Sequence, residues 1–258
     1  MVRVGHSLLV TLILTTAATA AEPAWSLPDN PQAVVLELRY AKPAANAPET
    51  KLELRRDGTF IGDKGTARRI SGRLSNRELQ ELMGEIVVDS GALQLTSSGL
   101  SRQIQEQSRR TGKSARLTSG VDTIIRITLA DGAHELQCVS PEVLRTRYPA
   151  LRELDRVCAI RRRLENVVAV AHAGGKPAAE RLAALATEQL RRHNGAQAQV
   201  TARDLQAVRG EAGDLRQAQF VITDASTGSP AGSEVHISVF ESPGAPPRIR
   251  ITTSAKPL

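Results

Sequence analysis

The sequence predicts an α+β protein: an antiparallel sheet with packed helices, followed by a smaller unit of one helix and a β-meander. Three observations carry this. Alternating apolar runs flank Asp57-Gly58 and Asp131-Gly132, a strong local hairpin signal because glycine tolerates the positive φ of a tight turn. An apolar stripe at helical spacing runs through Leu151, Leu154, Val157, Cys158, Ile160, Leu164, Val167, Val168 and Ala171. Beyond the break at Gly174-Gly175-Lys176-Pro177, one more helical pattern precedes a series of strand-like runs.

The elements follow in order. Residues 33–40 read as a strand, 51–56 and 59–61 as the arms of a hairpin, and 68–74 as a further strand. Ser75 and Glu78 have capping-box spacing, so a helix opens there, with Leu79, Leu82, Met83 and Ile86 on its apolar face. Residues 93–120 are rich in Ser, Thr, Gln, Arg and Gly and read as a mobile basic loop, with room for a short polar helix over 101–110. Residues 121–129 and 135–139 form a second hairpin. Ser140-Pro141 opens a helix with a capping residue and a first-turn proline. The second helix spans 178–193. Strands are expected over 197–201, 216–223, 234–241 and 248–253. This gives domains at 21–173 and 174–258, each pairing a helix with a sheet.

The first twenty residues read as a secretory signal peptide. Arg3 and His6 give a positive start, Leu8 to Leu14 an apolar run, and Ala18-Thr19-Ala20 a small-residue cleavage site. The alternative is a retained anchor, for which the run is short against the roughly 20 residues of a span. The expected location is therefore exported, periplasmic or extracellular, with no transmembrane span after cleavage. Cys138 and Cys158 are the chain's two cysteines. Export and even number together predict a Cys138–Cys158 disulfide stapling a strand to the long helix. Two buried free thiols are the alternative.

Catalytic patterns are sparse. No phosphate-binding glycine loop fits, because Gly174-Gly175-Lys176-Pro177 follows a helix and places Pro where a hydroxyl is needed. His6, His134, His172, His193 and His236 are not spaced as paired metal ligands. Asp57, Asp63 and Asp131 lie at turns, where carboxylates accept backbone hydrogen bonds. No cofactor is implied. With 2% aromatic residues, a base-stacking or sugar-stacking platform is disfavoured.

The most visible polar feature is basic. The formal charge is +7, and adjacent arginines occur at Arg68-Arg69, Arg109-Arg110, Arg161-Arg162-Arg163 and Arg191-Arg192. Between Leu100 and Gly120, Arg102, Arg109, Arg110, Lys113 and Arg116 face one acid, Glu106. These five are the candidate contacts to an anionic polymer. Acids interleaved with the other clusters, such as Glu153, Asp155 and Glu165, fit solvated helix faces instead.

Arg56-Asp57-Gly58-Thr59-Phe60, Ile70 to Ser75 and Glu78-Leu79 resemble an uncharacterised family of exported bacterial α+β proteins over residues 33–90. The helix and meander at 178–253 are similar in layout to cystatins, a likeness of fold alone. The resemblance implies an exported α+β protein and carries no catalytic residue. The sequence thus points to a non-enzymatic binding or structural module, whose partner is an extracytoplasmic protein or an anionic polymer, and nucleic acid is not expected. Two alternatives stay open: a hydrolase assembled from scattered acids and His134, and a polyanion-binding protein acting through its arginines.

Overall fold

The computed structural model describes residues 25–43, 45, 47–117, 120–194, 199–210, 215–222 and 234–254. The signal-peptide segment, His6, the turn at 227–230, and the side chain of His193 lie outside them. The fold is α+β, with five helices and two antiparallel sheets.

The first sheet contains β1 (Val34–Ala41), β2 (Glu49–Arg55), β3 (Thr59–Lys64), β4 (Ile70–Arg73), β5 (Asp122–Leu129) and β6 (Gly132–Val139), in the order β4-β3-β2-β1-β5-β6. The hairpin at Asp57-Gly58 forms, with Leu54 opposite Phe60. Gly58 takes φ +83 and Asp57 keeps an ordinary φ, accepting a hydrogen bond from Thr59 N at 2.9 Å. A Cβ at Gly58 would meet Leu74 O at 2.2 Å, so glycine is required there for space as well as conformation. In the β5–β6 hairpin Leu129 faces Gly132, so the connection is Ala130-Asp131, one residue earlier than expected.

α1 (Asn76–Gly84) starts on the predicted capping box: Glu78 N donates to Ser75 Oγ, and Ser75 N to Glu78 Oε2 at 2.8 Å. It buries Leu79, Leu82 and Met83, and a π-helical turn over 85–89 adds Ile86 and Val87. α3 (Pro141–Arg147) has the expected first-turn proline. Ser140 does not cap it. At φ +38, its Oγ instead accepts from Val121 N at 3.0 Å.

α4 (Arg152–His172) lies across the first sheet and buries the predicted stripe, including Leu154, Val157, Ile160, Leu164 and Val168. Its approach is close at β3, where a Cβ on Gly62 would lie 2.8 Å from Val168 Cγ1. Trp25 and Leu27 enter the same core, held as Ala130 N donates to Ser26 O at 2.9 Å.

Gly174 and Gly175, both at φ +94, turn the chain into α5 (Lys176–Asn194). The second sheet has the order β10-β9-β8-β7, from β7 (Leu205–Arg209), β8 (Arg216–Ile222), β9 (Glu234–Ser242) and β10 (Ala245–Ser254). The described residues of 197–201 form no strand, and β7 was not expected. Leu182, Ala186 and Leu190 of α5 pack with Phe220, Val235, Ile237 and Val239 in a second core. Among the described residues, no strand of one sheet pairs with the other. α4 serves both cores, since Ala169 of its last turn, with Ala173 just beyond it, belongs to the second.

The expected loop at 93–120 is mostly helical. α2 occupies Ser97–Thr111. Thr96 caps it, accepting from Gly99 N at 3.1 Å, and Gly112 ends it at φ +67. The helix buries just Leu100 and Ile104, one turn apart, which is why the composition looks like a loop.

The expected disulfide is absent: Cys138 and Cys158 are both buried free thiols. Both positions point inward, as predicted, but towards different neighbours. Cys138 sits by α2 and Asp122, whereas Cys158 on α4 faces Glu142 and Arg145 of α3. Burial pushes the Cys138 thiol up to about 12, with Asp122 adding to the shift. Burial likewise raises Cys158. Thiols held protonated in this way react slowly.

Candidate functional site: a basic face on α2

α2 is fastened along its length. Its first residue, Ser97, accepts from Gln137 N of the edge strand β6 at 2.9 Å. Gln103 Nε2 donates to Glu153 of α4 at 3.2 Å. Beyond the helix, Lys113 O accepts from Tyr148 OH at 2.8 Å and from Ser108 Oγ at 2.7 Å. Arg147 donates to the carbonyls of Ser114 and Arg116. The backbone of 113–116 is thus turned towards α3, and the side chains of Lys113 and Arg116 face water.

All five cations named from the sequence, Arg102, Arg109, Arg110, Lys113 and Arg116, are exposed. None forms an ion pair among the described residues. Arg109 and Arg110 lie in the last turn of α2, where they also complement the negative end of the helix. Glu106 is the single acid in this stretch.

Each of the other arginine clusters has at least one member bonded within the protein, a pattern invisible from sequence. Arg68 donates to Val208 O of β7. Arg192 pairs with Glu188 one turn back. The triplet 161–163 is half-buried, and each of its arginines has an acidic partner. Arg161 donates to Glu142 at 2.9 Å. Arg162 reaches Glu142 at 3.1 Å and Glu234 of β9 at 2.6 Å. Arg163 pairs with Glu85. Arg145 joins Glu142 and Glu234, and Tyr40 OH donates to Glu165, which also neighbours Arg161. Arg145, Arg161 and Arg162 are thereby neutralised by Glu142, Glu165 and Glu234. This network ties the second sheet to α3 and α4.

Two further places merit description. A cleft of about 470 Å³ lies between α1, β4 and the α4–α5 turn. Phe60, Leu82 and Val167 line it, with Arg73, Lys176 and Arg203 among its polar groups. Its acids are committed elsewhere: Glu78 to the capping box and Glu81 to Arg77 at 2.8 Å. Gly174-Gly175-Lys176 lies on its wall as a helix-to-helix turn. Second, His172 Nε2 and Asp63 Oδ2 lie 2.8 Å apart, and Lys51 Nζ lies 2.5 Å from Asp63 Oδ1. Asp63 has φ +49, a strained value for a non-glycine residue. Burial opposes its ionisation, but Lys51 and His172 hold its carboxyl below the usual range. Arg216 donates to His172 O at 2.7 Å, so the group brackets β3, α4 and β8.

His134 Nε2 is buried without a hydrogen-bond partner. Among the described residues, no hydroxyl or thiol bonds to the His172 ring. No group of three or more His, Cys, Asp or Glu among the described residues could hold a metal ion, and no described helix is long and apolar enough to cross a membrane.

Comparison of the chain with protein-family models, with curated proteins and with solved structures finds no match in any of the three.

Proposed function

We propose that the protein is an exported, non-enzymatic binding module that takes anionic ligands on the face formed by α2 and residues 112–116. The observation that supports this is the sorting of its arginines. Of the five clusters of adjacent arginines, counting Arg55-Arg56, whose Arg55 pairs with Glu53 at 3.4 Å, Arg109-Arg110 alone has no member bonded to an acid or a carbonyl among the described residues. Lys113 and Arg116 extend that unpaired charge past the helix, on backbone already held by Tyr148 and Arg147. A backbone already held in place spares its own ordering cost on binding, while the exposed side chains supply the charge. The leader pattern at the N-terminus supports export.

Heparin serves as the probe polyanion. The protein is expected to bind it with an affinity that falls steeply as salt rises. Arg109→Gln/Arg110→Gln is expected to weaken binding by about 30-fold, from roughly 1 kcal/mol for each cation lost near an anionic surface. Arg69→Gln/Arg191→Gln removes equal charge elsewhere and is expected to change little. Equal losses in the two double variants would mean that net charge, not this face, drives binding.

A further inference from the structure

Beside the basic face, α2 does not close fully onto β6. A groove of about 390 Å³ runs between them, within the size range of small-molecule pockets. Its floor is apolar: Leu100 and Ile104 of α2, Leu144 of α3, and Cys138 and Val139 of β6. Val139 is 40% exposed there, an apolar side chain left open to water. Ser101 and Gln105 of α2 give the lining polar groups, and Arg116 is the one cation in it. Lys113 and the last turn of α2, with Arg109 and Arg110, adjoin Arg116 in the chain.

An apolar trough with one unpaired cation, Arg116, in its lining is complementary to a molecule with one apolar tail and one anionic head. We propose that this groove binds a single-chain amphiphilic anion, an acyl chain ending in an acidic head group. The chain lies on Leu100, Ile104, Leu144 and Val139, and the head meets Arg116. The hydrocarbon is removed from water along its length, while the head keeps a charge-assisted contact at the solvent edge. An uncharged chain would forgo the contact with Arg116, and a cationic head would be repelled. The inference rests on the reading of the α2 face as an anion-binding surface and names the ligand class for it.

Dodecanoate below its micelle concentration is the probe, with dodecyltrimethylammonium and acetate as controls, each titrated by calorimetry into the mature chain. Saturable binding of dodecanoate alone is expected. Bound dodecanoate is expected to slow alkylation of Cys138, which lies in the floor, and to leave Cys158 unchanged. Ser101→Trp fills the groove from an exposed position and is expected to weaken dodecanoate binding by about tenfold or more, because methylenes are kept off the floor. Heparin retention is expected to stay intact in that variant. Gln105→Trp, also at an exposed rim position, is expected to act in the same way and guards against a folding defect in the first. If heparin binds but dodecanoate does not, or dodecyltrimethylammonium binds equally well, the groove proposal is overturned and the α2 reading stands. Dodecanoate binding undiminished in both tryptophan variants also overturns it, placing the ligand or a micelle-like aggregate elsewhere. If heparin itself is not retained, the α2 reading falls and the proposal falls with it.

Discussion

Glu234→Ala is expected to destabilise the protein by about 3 kcal/mol, because it leaves two half-buried guanidiniums short of an acceptor. Glu234 lies on β9, and its partners Arg145 and Arg162 lie on α3 and α4. Its side chain is 14% exposed, and those of the arginines 21% and 18%, so water replaces the lost carboxylate poorly. The pH dependence provides a second check. Burial opposes ionisation of Glu234, but hydrogen bonds from Arg145 and Arg162 outweigh it and hold the carboxyl below its ordinary value. A carboxyl depressed in the folded state stabilises the fold above its unfolded pKa, about 4.3. That contribution is lost as pH falls through the folded value. Urea denaturation across this range is expected to show a steeper acid loss in the wild type than in Glu234→Gln. Parallel pH profiles, or a destabilisation by Glu234→Ala below about 0.5 kcal/mol, the range of ordinary surface substitutions, would show that the network does not couple the sheets.

Asn166→Ala is expected to cost about 2–3 kcal/mol by the penalty for orphaned buried carbonyls. Asn166 is 3% exposed on α4, and its Nδ2 donates to Ala202 O at 2.8 Å and Leu205 O at 2.7 Å. Its Oδ1 accepts from Arg163 at 2.8 Å. One amide therefore bolts the start of the second sheet to the helix that covers the first. Asn166→Asp is expected to be at least as damaging, since a carboxylate oxygen would replace the amide nitrogen against two carbonyl oxygens. Thermal and urea melts of both variants check this. A tolerated aspartate would show that the two carbonyls find other donors.

Local signals in the sequence were reliable where one short segment decides the structure. Asp57-Gly58, Ser75 with Glu78, and the stripe from Leu154 to Val168 each form what their spacing predicts. Elements with little apolar content were harder to see. α2 buries two side chains, and β7 has Leu205 and Val208 inward, with a register shift between 205 and 207 that breaks the alternation. Long-range pairing was not legible at all. Arg162 and Glu234 are seventy-two positions apart, so the triplet reads as a solvated face until β9 is placed beside α4. The cysteines show the same limit: inward positions follow from periodicity, but which inward surfaces meet does not. The five cations of the α2 face were identifiable from their charge imbalance. The groove beside them was not, because its floor joins residues of α2, β6 and α3.

Titration of the isotopically labelled protein with a short heparin oligosaccharide, followed by backbone amide chemical shifts, locates the contact surface directly. The largest shifts are expected from Arg109 to Arg116, saturating together and reversed by salt, with the second sheet unmoved. Shifts centred instead on Arg73, Lys176 and Arg203 at the α4–α5 turn, or on Arg248 and Arg250 of β10, would contradict the assignment of the α2 face as the binding surface.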